Sequence, residues 1–285
     1  NITNTETSMK PKRSVCRYHG GKWLLADWII SHFPPHRYYV ELFGGSGSVL
    51  MKKYRSACEL YNDLDGEVVN YFRVLRDPEK AARLKHMLEL TPYARDELMS
   101  AFHDPPSSEP VERARRFFIN LSMAMGGKMQ CKTRGFRTRR GDDTSTPATD
   151  FVNYPRHIKS FTERLKDVVI ENRPAVDVIN RHNDPDTLFY CDPPYLHELR
   201  TMKGRETYRH EMTEADHVEL AEKLNAISGY AIVSGYPSEL YKDLYQDKGW
   251  KVCQRPHRAE SGRETMECLW LSPRTAEALA RKTLF

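Results

Sequence analysis

Seven short β-forming runs, separated by segments with helical composition, constrain this chain more than any other feature of its sequence. In order they are Tyr38-Tyr39-Val40-Glu41-Leu42, Cys58 to Tyr61, Asp167 to Ile170, Thr187 to Cys191, Tyr230 to Val233, Lys251 to Cys253 and Glu267 to Leu271. Runs such as Leu188-Phe189-Tyr190-Cys191 do not alternate polar with apolar residues, as expected of strands buried on both faces of a parallel sheet. Helices are expected at Ser48 to Tyr54, Gly66 to Leu75, Pro174 to Asn180 and Thr213 to Ala226, the last with Thr213 as cap and Asp216 three residues on. This rhythm predicts an α/β fold built on a doubly wound, mostly parallel, seven-stranded Rossmann-like sheet.

The rhythm breaks once. Between Asp77 and Glu163 lie amphipathic helical stretches, Pro78 to Leu90 and Val111 to Met125, with a Pro/Ser interruption at Asp104 to Pro110. A glycine-punctuated basic segment follows. The chain therefore divides into a core domain of residues 14–76 and 166–275 and an inserted, mainly helical subdomain of residues 77–165 that carries a basic hairpin over 126–141.

Composition excludes several classes. At 39% hydrophobic and 29% charged residues the chain is foldable, and no apolar run approaches the roughly 20 residues of a membrane helix. Asn1 to Arg13 is polar, without the apolar core of a signal peptide, so a cytoplasmic protein is expected. Six scattered cysteines, with no Cys-x-x-Cys pair, argue against a disulfide framework and against a zinc site, and buried free thiols are expected. The net charge of +5 is modest, but Lys128, Lys132, Arg134, Arg137, Arg139 and Arg140 crowd into thirteen residues, 128–140, with no acidic neighbour. Such a cluster gains affinity for phosphates by counterion release; a solvated basic loop is the plainer alternative.

Two loops at predicted strand ends carry the chemistry, because ligands of open α/β sheets bind at the carboxyl ends of strands. Phe43-Gly44-Gly45-Ser46-Gly47 allows a cofactor to approach the backbone closely, and Asp63, at the end of the next strand, is placed to hold ribose hydroxyls. Taken alone, the glycine loop is equally compatible with a tight turn that holds nothing.

Asp192-Pro193-Pro194-Tyr195 is more specific. The amine of adenine is a poor nucleophile because its lone pair is delocalised into the ring. A carboxylate on Asp192 accepting one amine hydrogen, with the Pro193 carbonyl accepting the other, draws that pair out and stabilises the developing positive charge. Prolines stiffen the loop without adding N–H groups, and Tyr195 offers an aromatic face to a base extruded from its duplex. Ser234-Gly235-Tyr236-Pro237 ends a strand beside this loop and either shapes the base pocket or is an ordinary turn. His197, His210 and His217 invite a general-base role, which is not required because the amine can release its proton to water after transfer. Tyr208 and Met212 are placed either over the site or in plain loop packing.

With these residues in order, the chain resembles the Dam-like adenine-specific DNA methyltransferases. Tyr18-His19-Gly20-Gly21-Lys22 is similar to the family's amino-terminal segment, Phe43-x-Gly45-x-Gly47 to its glycine loop, and Asp192 to Tyr195 to its catalytic loop, with a target-recognition insertion before the last. The resemblance implies a methyltransferase sheet and S-adenosylmethionine as cofactor, with no metal. It implies that Tyr18, Lys22, Phe43, Gly45, Gly47, Asp63 and Asp192 contact that cofactor. Tyr18 stands where close relatives often carry tryptophan. Double-stranded DNA is the implied partner, the chain acting as a monomer or weak dimer, with GATC or a relaxed site as target. The Pro-Phe-Gly that closes the hairpin of strict GATC readers is replaced by Arg139-Arg140-Gly141. Methylation of RNA adenine, or an idle DNA-binding subunit, are the alternative readings.

Overall fold

The structure, a computed structural model, describes residues 10–125, 135–138, 146–195, 210–258 and 264–282. Its strands are β1 (Tyr38–Glu41), β2 (Cys58–Asn62), β3 (Val168–Glu171), β4 (Thr187–Cys191), β5 (Tyr230–Gly235), β6 (Lys251–Arg258) and β7 (Glu264–Leu271). The described residues form one sheet in the order β3-β2-β1-β4-β5-β7-β6. β1 to β5 are parallel throughout, and β7 enters antiparallel to both β5 and β6.

The expected doubly wound, mostly parallel sheet is thus present. Its strand order reverses between β1 and β4, which lie side by side with Val40 opposite Phe189. That reversal opens a crevice at the carboxyl ends of these two strands, and the loops that follow them are the two singled out in the sequence.

Both faces of the sheet are covered, which is why its strands read as continuous apolar runs. Tyr39, Tyr61, Tyr190 and Ile232 face one buried cluster, and Val40, Leu60, Phe189, Ala231 and Val233 face the other. Successive residues of a strand point to opposite sides, so both sets are mostly apolar, with the buried Glu41, Glu59 and Ser234 as exceptions.

The helix Gly66–Arg76 buries Val68, Tyr71, Phe72 and Leu75 on the first face. Onto it pack Pro78–Leu90 and Pro110–Met123, each beginning with proline beneath an acidic cap, Asp77 and Glu109. Their buried residues, with those of Ile158–Leu165, join the same cluster as the sheet. A buried charge group fastens this layer to β2: Glu59 accepts from Arg164, whose guanidinium also donates to the Leu50 carbonyl at 2.6 Å, and pairs with Lys53.

The helix over 214–225 carries the expected cap, Thr213 and Asp216 exchanging hydrogen bonds as a capping box. The short helices Ala26–Ser31, Arg95–His103, Pro147–Asn153 and Glu239–Leu244 were not legible as periodic patterns. β6 and β7 run well beyond the expected Lys251 to Cys253 and Glu267 to Leu271, because pairing with each other satisfies backbone groups that their polar residues do not advertise. Cys16, Cys191 and Cys268 are buried free thiols, whereas Cys58 is exposed at the start of β2. Among the described residues no helix is long and apolar enough to cross a membrane.

Candidate active site

The loop after β1 is built by its glycines. Gly45 and Gly47 have φ of 49° and 58°, in the left-handed region that favours glycine. A Cβ on Gly45 would lie 3.0 Å from the Tyr18 ring, and one on Gly47 would lie 2.9 Å from Phe72. Gly45 is therefore held open by close approach of Tyr18, while Gly47 serves the turn that leads into the helix Ser48–Lys52.

The end of β2 closes on this loop. Oδ2 of Asp63 accepts the Gly45 N–H and Oδ1 accepts that of Asp65, both at 2.8 Å. Burial raises the Asp63 carboxyl to about 6 against the pull of these two N–H groups. Tyr61 donates to the Gly45 carbonyl at 2.7 Å, so Tyr61 within β2 and Asp63 just past its end set the loop's position.

A cavity of about 570 Å³ opens between these loops. Tyr18, Lys22, Phe43, Gly45, Asp63 and Asp192 all line it, as do Pro194 and His210. Gly47 lies outside its wall, and so do Pro193, which is buried, and Tyr195. Met212 lines the cavity as well as packing on the core. His217 is a core residue, its Nδ1 3.1 Å from the Tyr241 hydroxyl. His197 and Tyr208 lie outside the described residues.

Asp192 stands at the centre of a hydrogen-bonded group. The Ser234 hydroxyl donates to its Oδ1 at 2.8 Å, and Lys22 Nζ lies 2.8 Å from its Oδ2. Lys22 is buried, and its ammonium also donates to the Tyr195 hydroxyl at 2.7 Å and approaches Glu267 Oε1 at 3.7 Å. Burial works against the lysine charge, but the carboxylates of Asp192 and Glu267 outweigh it and hold the ammonium protonated well above the ordinary lysine range. Tyr195 donates to Glu267 at 3.2 Å and packs its ring against Tyr236, centroids 4.5 Å apart. Each Asp192 oxygen has two lone pairs, so one anchor apiece leaves acceptor capacity for a ligand.

Sequence reasoning left three contributors unnamed. Glu41 lines the cavity from the end of β1, accepting the Tyr39 hydroxyl at 2.7 Å and the Leu50 N–H at 2.9 Å; burial lifts it to about 8. Glu267 is buried beside Lys22, and Pro174 to Asp177 form another part of the cavity wall. The available signal was an acidic residue inside an otherwise apolar strand, in Tyr39-Val40-Glu41-Leu42 and again in Met266-Glu267-Cys268-Leu269.

Of the basic hairpin expected over 126–141, only residues 135–138 fall among those described. Ala124 and Phe136 form an antiparallel bridge, with the Arg137 N–H donating to the Met123 carbonyl at 2.7 Å. The Arg137 carbonyl accepts the Tyr93 hydroxyl at 2.8 Å, and the Phe136 ring packs on Tyr93. Lys128, Lys132, Arg134, Arg139 and Arg140 lie outside the described residues.

The model of the D12 class N6 adenine-specific DNA methyltransferases matches residues 18–257. The DNA adenine methylase of Serratia marcescens is 25% identical over 255 residues, covering 84% of this chain and 88% of that protein. The DNA adenine methylase of Escherichia coli is 24% identical over 249 residues, covering 84% and 86%. Among solved structures, a precorrin 8W decarboxylase from Methanobacterium thermoautotrophicum aligns with a TM-score of 0.34 at 10% identity, covering 87% of this chain and 89% of that one, too distant to carry any argument. The family match spans both loops, the buried Lys22 and the helical layer between β2 and β3, and the chain belongs to the D12 class of N6 adenine-specific DNA methyltransferases.

Proposed function

We propose that this enzyme methylates the 6-amino group of an adenine flipped out of double-stranded DNA, with S-adenosylmethionine as donor and Asp192 to Tyr195 gripping the base. The observation that carries the reading is the double anchoring of Asp192, Oδ1 by Ser234 and Oδ2 by Lys22, in the same cavity as Gly45 and Asp63. A carboxylate fixed at both oxygens costs no reorganisation when it accepts an amine hydrogen.

The residues present fit the donor. A volume of about 570 Å³ lies in the range of small-molecule sites. Gly45 keeps the wall open where a Cβ would meet Tyr18, and the Asp63 and Asp192 carboxylates suit a cation. When bound, S-adenosylmethionine supplies an electrophilic methyl group on a positively charged sulfur. Tyr18, Phe43, Gly45 and Asp63 would hold it, all of them lining the cavity.

Asp192 accepts one amine hydrogen and the Pro193 carbonyl the other, which localises the nitrogen lone pair and directs it out of the ring plane. Tyr195 provides the stacking surface, held upright by Tyr236. Lys22 and Ser234 keep the carboxylate from rotating. Outside the site, the segment 77–165 and its hairpin serve DNA recognition, with Lys128, Lys132, Arg134, Arg137, Arg139 and Arg140 available to phosphates and to guanine edges. The target is GATC or a relaxed version of it.

Labelled-methyl transfer to duplex DNA and to structured RNA, with D192A alongside, tests this reading. Duplex DNA is expected to be labelled and D192A to be inactive yet folded. Preferential labelling of RNA overturns the polymer assignment, and near wild-type turnover by D192A overturns the mechanism. Sequencing of modified adenines reads the target site directly.

A further inference from the structure

Glu267 has no place in the chemistry derived so far, although it is buried in the middle of it. It sits on β7, opposite Arg255 of β6, one residue before Cys268, which pairs with Gly235 of β5. Because β7 runs antiparallel to β5, its early residues lie beside the carboxyl ends of β4 and β5, where the reactive loops emerge. A carboxylate in an apolar strand interior is costly unless it is paired and hydrogen-bonded. Here its Oε1 accepts the Tyr195 hydroxyl at 3.2 Å and faces Lys22 Nζ at 3.7 Å.

Three elements therefore converge on one ammonium. Lys22 comes from the turn before the first helix, Asp192 from the loop after β4, and Glu267 from β7. One cation faces two carboxylates, and the Tyr195 hydroxyl lies between Lys22 and Glu267, accepting from the first and donating to the second. We propose that Glu267 is a positioning residue for methyl transfer, which shares the Lys22 ammonium with Asp192 and fixes the Tyr195 hydroxyl, so that the acceptor carboxylate and the stacking ring are held in register. The proposal rests on the reading of Asp192 to Tyr195 as the base-gripping loop.

The arrangement has a pH consequence. Burial raises Glu267 to about 7; Lys22 opposes the rise, Asp192 adds to it, and the Tyr195 hydrogen bond opposes it. Among the described residues, Tyr236, Cys268 and, across the strand pair, Arg255 are further polar or titratable neighbours. With Glu267 ionised, the ammonium is divided between two carboxylates and Asp192 keeps acceptor strength for the amine. With Glu267 protonated, Lys22 is drawn wholly to Asp192. Turnover therefore rises with pH as Glu267 loses its proton.

The test is kcat and KM of the intact enzyme, E267Q, E267D and D192A on duplex DNA between pH 5.5 and 9. E267Q is expected to lose about 10- to 100-fold in kcat, the usual scale for a group supporting a functional side chain, with KM for the donor within about twofold. The wild-type rise near neutral pH should vanish in E267Q and survive in E267D, which keeps the charge. An E267Q enzyme with kcat within about twofold of wild type and the same pH profile overturns the proposal, as does a loss confined to KM. Should E267Q fail to fold, the wild-type profile and E267D decide: a flat wild-type profile, or an E267D enzyme without the rise, overturns it. D192A separates the two levels. An inactive D192A with an unaffected E267Q removes only the role of Glu267, whereas an active D192A removes the loop assignment beneath it.

Discussion

Lys22 Nζ lies 2.8 Å from Asp192 Oδ2, and the lysine side chain is only 6% exposed. Lys22, which the family resemblance places at the cofactor, is thus the buried counter-charge of the Asp192 carboxylate. Its flanking turn, closed by the Gly21 N–H on the Tyr18 carbonyl at 3.0 Å, lowers it into the crevice.

Removing this ammonium strands two carboxylates. K22M is expected to lose about 3–5 kcal/mol at neutral pH, a fall in melting temperature of about 6 °C or more. The loss should shrink toward pH 5, because Glu267, raised by burial to about 7, then carries a proton in the folded state and needs no counter-charge. Thermal melts across pH check this, and a K22M penalty that is constant with pH contradicts the pairing.

Gly45→Ala separates cofactor from DNA. A Cβ there collides with Tyr18 at 3.0 Å and sits on a backbone with φ of 49°. We expect KM for S-adenosylmethionine to rise about tenfold, equivalent to about 1.4 kcal/mol, with KM for DNA unchanged. Steady-state kinetics with each substrate varied in turn measures it, and an equal rise in both constants would show that the loop does not belong to the donor.

Glu41 sets a pH-dependent term in stability. Burial raises its carboxyl to about 8 from an ordinary value of 4.5. The folded state therefore holds a proton that the unfolded chain has released, and this contribution to stability is lost as pH rises from about 4.5 through about 8. Glutamine keeps an oxygen for the Tyr39 hydroxyl and the Leu50 N–H while removing the titration. E41Q should melt no lower than wild type at pH 8 and show a weaker decline between pH 6 and 8; a steeper decline refutes the assignment.

The basic segment is tested by salt. Replacing Lys128 and Lys132 with alanine should reduce the slope of log affinity for duplex DNA against log salt by about 0.9 for each phosphate that is no longer neutralised. Titrations at several salt concentrations provide the slope, and an unchanged value means that DNA is held elsewhere.

Much of the fold was legible because its causes are local. Strands buried on both faces need unbroken apolar runs, so β1, β2, β4 and β5 appear within a residue or two of their bounds. Proline at the first turn and Thr213 with Asp216 at a cap mark helix starts for reasons confined to a few residues. β6 and β7 were expected only over Lys251 to Cys253 and Glu267 to Leu271; their extensions escaped notice because Arg255, His257 and Glu264 are held there by cross-strand pairing, a non-local cause.

The sequence by itself determined that the sheet is doubly wound, that two distinctive loops fall at strand ends, and that Asp192 opens the more specific of them, since each follows from residue type and spacing along the chain. Tertiary structure alone decided what surrounds that carboxylate. Lys22 meets Tyr195 across 173 residues, and Tyr195 meets Glu267 across 72. Neither spacing carries a signal, because these meetings arise from the reversal of strand order between β1 and β4 and from the antiparallel entry of β7. An ion cluster of this kind exists only where strand topology removes its members from water together, and that is a property of the assembled sheet.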